Sequence, residues 1–170
     1  SEYTDIAMRN LINNGHMVGP RMLVVGYGLS VTRSPSAPPS IRTADSPDEV
    51  RRIVRRNIAA GVDWIKVFGS TGSGQDVTGF QTFTFDEMKA AVDTTHALGR
   101  PIAIHSYGPD GARDAVRAGA DSLEHAADMD DETIAVDKHI TLLIDVNESS
   151  FACQIASDLL RARYRRASKG

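Results

Sequence analysis

Three residues have the type and placement to do chemistry: Lys66 in Trp64-Ile65-Lys66-Val67-Phe68, His105 in Ile102-Ala103-Ile104-His105-Ser106, and His125 in Ser122-Leu123-Glu124-His125-Ala126. Each stands at or near the end of a short apolar run that reads as a buried β-strand, where parallel α/β proteins keep their reactive groups. Neutral imidazoles suit a divalent metal such as zinc. A lysine between two aromatics on a buried face is costly unless neutralised or paired, and burial lowers its pKa, leaving a nucleophilic amine.

These residues need elements to hold them, and the chain supplies an alternation. The spacing around Asp5 to Asn13 predicts the end of a helix stopped by Gly15, and Arg21 to Leu29 reads as a strand. Residues 31–46 form a Pro/Ser-rich stretch with Pro35, Pro38 and Pro39, read as a long loop. Ser46, Pro47, Asp48 and Glu49 mark a helix start, with its stop at Gly61. Then follow a strand over 63–69, a glycine-rich loop over 70–79, a helix over 84–98 and a strand over 101–106. The remainder reads as a helix over 109–118, a strand over 122–126, a helix over 130–137, a strand over 140–145 and a last helix over 150–166.

Five apolar strands alternating with helices predict parallel pairing and an α/β fold. The architecture is either an open doubly wound sheet or part of a (β/α)8 barrel, and no dinucleotide fingerprint follows the first strand. Strand alternation places Ile65, Val67, Ile102 and Ile104 toward the helices. Trp64, Lys66, Phe68, Ala103 and His105 then face inward.

With 170 residues, 41% hydrophobic, 24% charged and a formal charge of −3, the chain reads as one ordinary domain that offers nothing to nucleic acid. No window approaches the ~18–20 apolar residues of a membrane span, and the amino end lacks a signal-peptide pattern. A single cysteine, Cys153, is compatible with a reducing, cytoplasmic setting. Because the chain opens at Ser1 in what already reads as a helix, an upstream segment is expected.

The stretches DWIKVFGSTGSG and HALGRPIAIHSYGPDGARDAVRAGADSLEH, with NLINNGHMVGPRMLVVGYGLS and SPDEVRRIVRRNIAAGVDWIKV more loosely, resemble the amidohydrolase superfamily. Within it they are similar to the imidazolonepropionase-like branch that includes metal-dependent Xaa-Pro dipeptidases. The resemblance covers residues 1–145 and implies a (β/α)8 barrel, of which this chain would hold about strands 3 to 7. A complete barrel takes about 250 residues. The family's His-X-His on the first strand and its aspartate on the eighth have no counterpart here, so the resemblance implies a central fragment, inactive alone.

In such enzymes a lysine ending the fourth strand is carboxylated by carbon dioxide and bridges two divalent metals, while histidines ending the fifth and sixth strands bind one of them. Carried over, Lys66 is the bridging carbamate, and His105 and His125 are metal ligands. Zinc is the expected metal, and the expected reaction is hydrolysis of a C–N bond in a small peptide or acylated amino acid. The resemblance also offers Tyr107, two residues past His105, for a substrate carboxylate or carbonyl, with a plain strand-end tyrosine as the competing reading. Gly72, in the loop Gly69 to Gly74, is a candidate substrate contact in a segment whose flexibility suits a lid. Asp145 could face the site, and the default for it is a solvated carboxylate.

Two other readings stay open. A half-barrel without activity would self-associate, as a homo-oligomer or with the missing part of a barrel, to cover its edges and inner face. A Schiff-base lysine, as in barrel aldolases, would use Lys66 and leave both histidines unexplained. His16, His96 and His139 are read as structural. Residues 146–170, with Arg161, Arg163, Arg165, Arg166 and Lys169, form a basic helix or tail outside the resemblance.

Overall fold

The computed structural model describes residues 3–32, 41–72, 79–126, 129–131, 133 and 141–143. Asp145, Cys153, His139 and the tail over 146–170 lie outside these residues, as does most of the expected helix over 130–137.

Local signals start and stop the helices. Helix α1 (Thr4–Asn13) precedes strands β1 (Gly28–Ser30) and β2 (Ile41–Thr43). Helix α2 (Pro47–Ala60) begins where Ser46 accepts a hydrogen bond from the Glu49 N–H, and it ends at Gly61 in the left-handed conformation, φ 95°. Its buried residues Val50, Ile53, Val54 and Asn57 recur at helical spacing, so one stripe packs inward. After β3 (Ile65–Phe68), helix α3 (Phe85–Ala97) starts in a capping box between Thr84 and Glu87. The order continues with β4 (Ile102–Ser106), α4 (Pro109–Ala118), β5 (Ser122–His125) and β6 (Thr141–Leu143).

The strands form one parallel sheet of six, ordered β2-β1-β3-β4-β5-β6. Leu29, Ile65, Val67, Ile102, Ile104 and Leu123 turn to the helices and make a core with Val50, Val54, Met88 and Val92. Helix α4 comes so near the sheet that a Cβ on Gly111 would stand 2.8 Å from Ser106 Oγ and 2.9 Å from the Gly69 carbonyl oxygen. That approach requires glycine.

Two expectations need correction. Of the strand expected over 21–29, only Gly28 and Leu29 pair in the sheet, with Ser30 continuing the strand beyond it. The preceding amides are taken by side chains: Val24 N–H donates to Asp63 Oδ2 at 2.9 Å and Gly26 N–H to Asp5 Oδ2 at 2.8 Å, with Gly26 at φ 63°. The stretch read as a loop over 31–46 contains β2, which pairs with β1 in parallel and makes the strands six rather than five. Its residues Ile41, Arg42 and Thr43 follow the prolines, so nothing in them prevents a ladder.

Candidate active site

The register of the sheet decides which side chains meet. Lys66 pairs with Ala103 and Ala103 with Ser122; one step on, Phe68 pairs with His105 and His105 with Glu124. These two rows share the face away from the helices. The Lys66 side chain is 13% exposed and forms an ion pair with Glu124, reaching across the strand between them. Its Nζ also lies 5.3 Å from the Phe68 ring centroid.

Strict alternation would turn His125 away from His105, because Glu124 occupies the inward position. The backbone resolves this. His125 and Ala126 adopt left-handed conformations, with φ 68° and 48°. The alternation breaks there, and the His125 ring lies 4.7 Å from His105 and stacks on Tyr107 at 4.6 Å with 19° between planes. Non-glycine residues in this region cost about 1–3 kcal/mol each, and such strain persists where the surroundings over-determine it, often at functional sites. Tyr107 also meets the edge of His105 at 4.9 Å, and Phe68 lies 5.8 Å from it.

Burial sets the protonation states. It pushes the Lys66 amine down to about 8, while the Glu124 carboxylate beside it works in the opposite direction and favours the ammonium. His105 is lowered to about 3, first by burial and then by the positive charges of Lys66 and His125. It is therefore neutral near pH 7, with a ring nitrogen lone pair available.

The structure thus brings together Lys66, His105, His125 and Tyr107 at the carboxyl ends of three adjacent strands. Gly72 lies exposed in the loop after β3, at φ 109°. The two described ends of that loop are held together: Ser70 bridges Gln81, Thr71 N–H donates to the Phe80 carbonyl, and Phe80 N–H donates to Thr71 Oγ1. Ser70 Oγ joins it to β4 by accepting the Tyr107 N–H at 2.9 Å. Among the described residues, no three His, Cys, Asp or Glu side chains lie close enough to hold a metal. Imidazoles are donors that suit a divalent metal, but two of them alone do not make a site, and a carboxylated Lys66 would add anionic oxygens beside them.

Glu124 was not singled out from the sequence as a site residue. The signal existed: alternation from the core residue Leu123 puts Glu124 on the face of Lys66 and His105. His96 and His16 keep clear of the cluster. His96 pairs with Asp121 at 2.8 Å, and His16 is exposed after α1.

A profile of the amidohydrolase family matches residues 2–160. Ochratoxinase of Aspergillus niger is 29% identical over 189 residues, covering 93% of this chain and 39% of ochratoxinase. Its crystal structure superposes with a TM-score of 0.75 at 26% identity, over 99% of this chain and 48% of that one. A Bifidobacterium longum protein provisionally described as a prolidase gives a TM-score of 0.77 at 25% identity, over 98% of this chain and 47% of its own. A Xaa-Pro dipeptidase with bound methionine shares the fold, with a TM-score of 0.76 at 22% identity over 99% of this chain and 50% of its own. The chain spans about half the length of these solved structures and less than half of ochratoxinase. The parallel α/β sheet fits part of a (β/α)8 barrel.

Proposed function

Since the chain belongs to the amidohydrolase family, we propose that it carries the central strands of a binuclear, metal-dependent hydrolase acting on C–N bonds of a small peptide or acylated amino acid. The observation that carries this reading is the meeting of Lys66, His105 and His125 at one end of three neighbouring parallel strands. The names of the relatives, a prolidase among them, support an amide-type substrate.

In this reading Lys66 is carboxylated: its amine lone pair adds to carbon dioxide and the nitrogen loses a proton. Glu124, already paired with that nitrogen, is the nearest acceptor for the proton. The carbamate, His105 and His125 would together hold two divalent ions, zinc in the first instance. Such a pair, when bound, lowers the pKa of water to near neutrality and polarises a carbonyl. Phe68 and Tyr107 flank His105 and keep bulk water from it. The Tyr107 hydroxyl binds a substrate carboxylate or carbonyl, and Gly72 offers backbone polar groups from the loop after β3.

Metal uptake tests the reading. The chain dialysed against zinc and bicarbonate should retain the metal stoichiometrically, and Lys66→Ala and His125→Ala should each abolish retention. No uptake by the unaltered chain would overturn it.

A second reading has its own observation. Met8, Leu11, Val18 and Leu23 are large apolar side chains left exposed, and β2 and β6 end the sheet among the described residues. A second copy, or the remainder of a barrel, would cover them. Sedimentation across a hundredfold concentration range should show association, and a monomer throughout would count against it.

A further inference from the structure

His125 owes its place to two consecutive left-handed residues, and such a turn holds only if the chain is fixed on both sides. On the near side is the β5 ladder, extended by the Ala126 N–H, which is shared between the carbonyls of Ser106 and Glu124 at 3.0 Å each. On the far side Met129 is buried in the core, and next to it stands Asp130. Asp130 Oδ1 accepts from Thr133 N–H at 2.8 Å and from Thr133 Oγ1 at 2.6 Å, while Oδ2 pairs with Arg113 of α4. Arg113 is committed on its other side as well, donating from Nη1 to Asp110 Oδ1 at 3.0 Å.

A solvated surface ion pair contributes little to anything. This one is partly enclosed: the Arg113 and Asp130 side chains are 28% and 35% exposed, and Arg113 Nε is buried without a hydrogen-bond partner. Helix α4 is in turn pressed on the sheet at Gly111, above Ser106, whose carbonyl receives the Ala126 N–H. The contacts tie α4 through Arg113 to Asp130 and the buried Met129, which follow His125 in sequence.

We propose that Arg113 and Asp130 form a clamp that positions the His125 ring against His105 and Tyr107, and so sets metal affinity at this end of the site. The metal half of this inference rests on the reading under Proposed function; the positioning half does not. Neither residue touches the reacting atoms, so both are positioning residues. Groups that orient a metal ligand typically change metal affinity 10–100-fold when removed.

The test uses the whole 170-residue chain, as Arg113→Ala, Asp130→Asn, the double variant and Arg113→Lys. In metal-free protein, amide hydrogen exchange at Ala126 should be at least tenfold faster in either single variant than in the unaltered chain, and no faster in the double variant than in the single ones. Exchange at Ile65, whose N–H bonds the Pro101 carbonyl at the opposite end of the sheet, should stay unchanged. The His125 ring proton signals, shielded by stacked Tyr107, should move toward values of an unstacked ring, and Arg113→Lys should restore part of the shift. With zinc and bicarbonate, the single variants should bind at least tenfold more weakly. If Arg113→Ala does not fold, Asp130→Asn, which keeps the side-chain shape, carries the test. Ala126 exchange and His125 signals within twofold of the unaltered chain would overturn the clamp. Absence of zinc binding by the unaltered chain, with the exchange effect present, would sink the metal reading and leave the clamp standing.

Discussion

The two ends of the parallel sheet are built on opposite rules. At the amino ends, carboxylates tie down backbone groups. Asp63 accepts from Val24 N–H and from Arg9 at 2.7 Å, and Arg9 also donates to the Gly61 carbonyl at 3.0 Å. Asp121 accepts from Ile102 N–H at 2.9 Å and from His96. Arg9, Asp63 and Asp121 are each paired there, although the Arg9 side chain is as enclosed as that of Lys66. At the carboxyl ends a buried lysine and a buried imidazole are both held below their ordinary pKa, and two residues sit in left-handed backbone. In barrel enzymes the amino face serves stability and the carboxyl face serves chemistry, and the site proposed above lies on the carboxyl side.

Opposite outcomes at the two ends would sharpen the comparison. The largest effect is expected from Lys66→Met combined with Glu124→Gln, which should eliminate zinc retention while leaving urea stability nearly unchanged, since both partners of the ion pair lose their charge together. Asp63→Ala should do the reverse. Losing hydrogen bonds to a charged group should lower stability by about 2–3 kcal/mol without touching zinc retention. Equal effects of the two variants on both measurements would erase the distinction.

Next in size is Gly111→Ala. The added methyl has no room beneath Ser106 and Gly69, and overpacking of this kind costs about 1–3 kcal/mol by urea unfolding. Stability unchanged within error would show that α4 is free to lift from the sheet.

Acid should weaken the carboxyl end first. The folded value of His105, about 3, lies below the ordinary 6.5, so an unfolded chain takes up that proton earlier. The stability tied to neutral His105 is present above pH 6.5 and is lost as pH falls toward 3. Asp63 behaves differently: burial raises its pKa, but the bonds from Arg9 and Val24 outweigh that, and the net value lies below 3.8. Its contribution persists until the pH falls below that value. Urea midpoints of metal-free protein at pH 7, 5 and 3.5 should therefore decline already by pH 5, and His105→Asn should flatten that first decline. The smallest effect is expected from His96→Ala, a half-exposed pair whose loss should cost less than about 1 kcal/mol.

Much of this architecture was legible in the residues. Helices α2 and α4 declare themselves through Ser46-Pro47 and through Pro109 with Gly119, because caps act within a few residues. The inward placement of Lys66 and His105 followed from a period of two. Strand β1 was overextended in the reading because Val24 and Gly26 look like strand residues, while their amides go to Asp63 and Asp5, far away in sequence. Strand β2 was hidden by its proline-rich approach. The pairing of Lys66 with Glu124 needed only one more step of alternation. The left-handed turn at His125 and Ala126 could not be read at all, since neither residue type forecasts it and tertiary contacts impose it.

The proposed function turns on whether Lys66 can be carboxylated and hold metal together with the two histidines. The most direct measurement is a carbon-13 spectrum of the chain equilibrated with labelled bicarbonate and zinc, paired with metal analysis. The expected result is one carbamate carbon signal and bound zinc, both lost in Lys66→Ala. A spectrum without carbamate and a chain without zinc, at saturating bicarbonate and metal, would contradict the account.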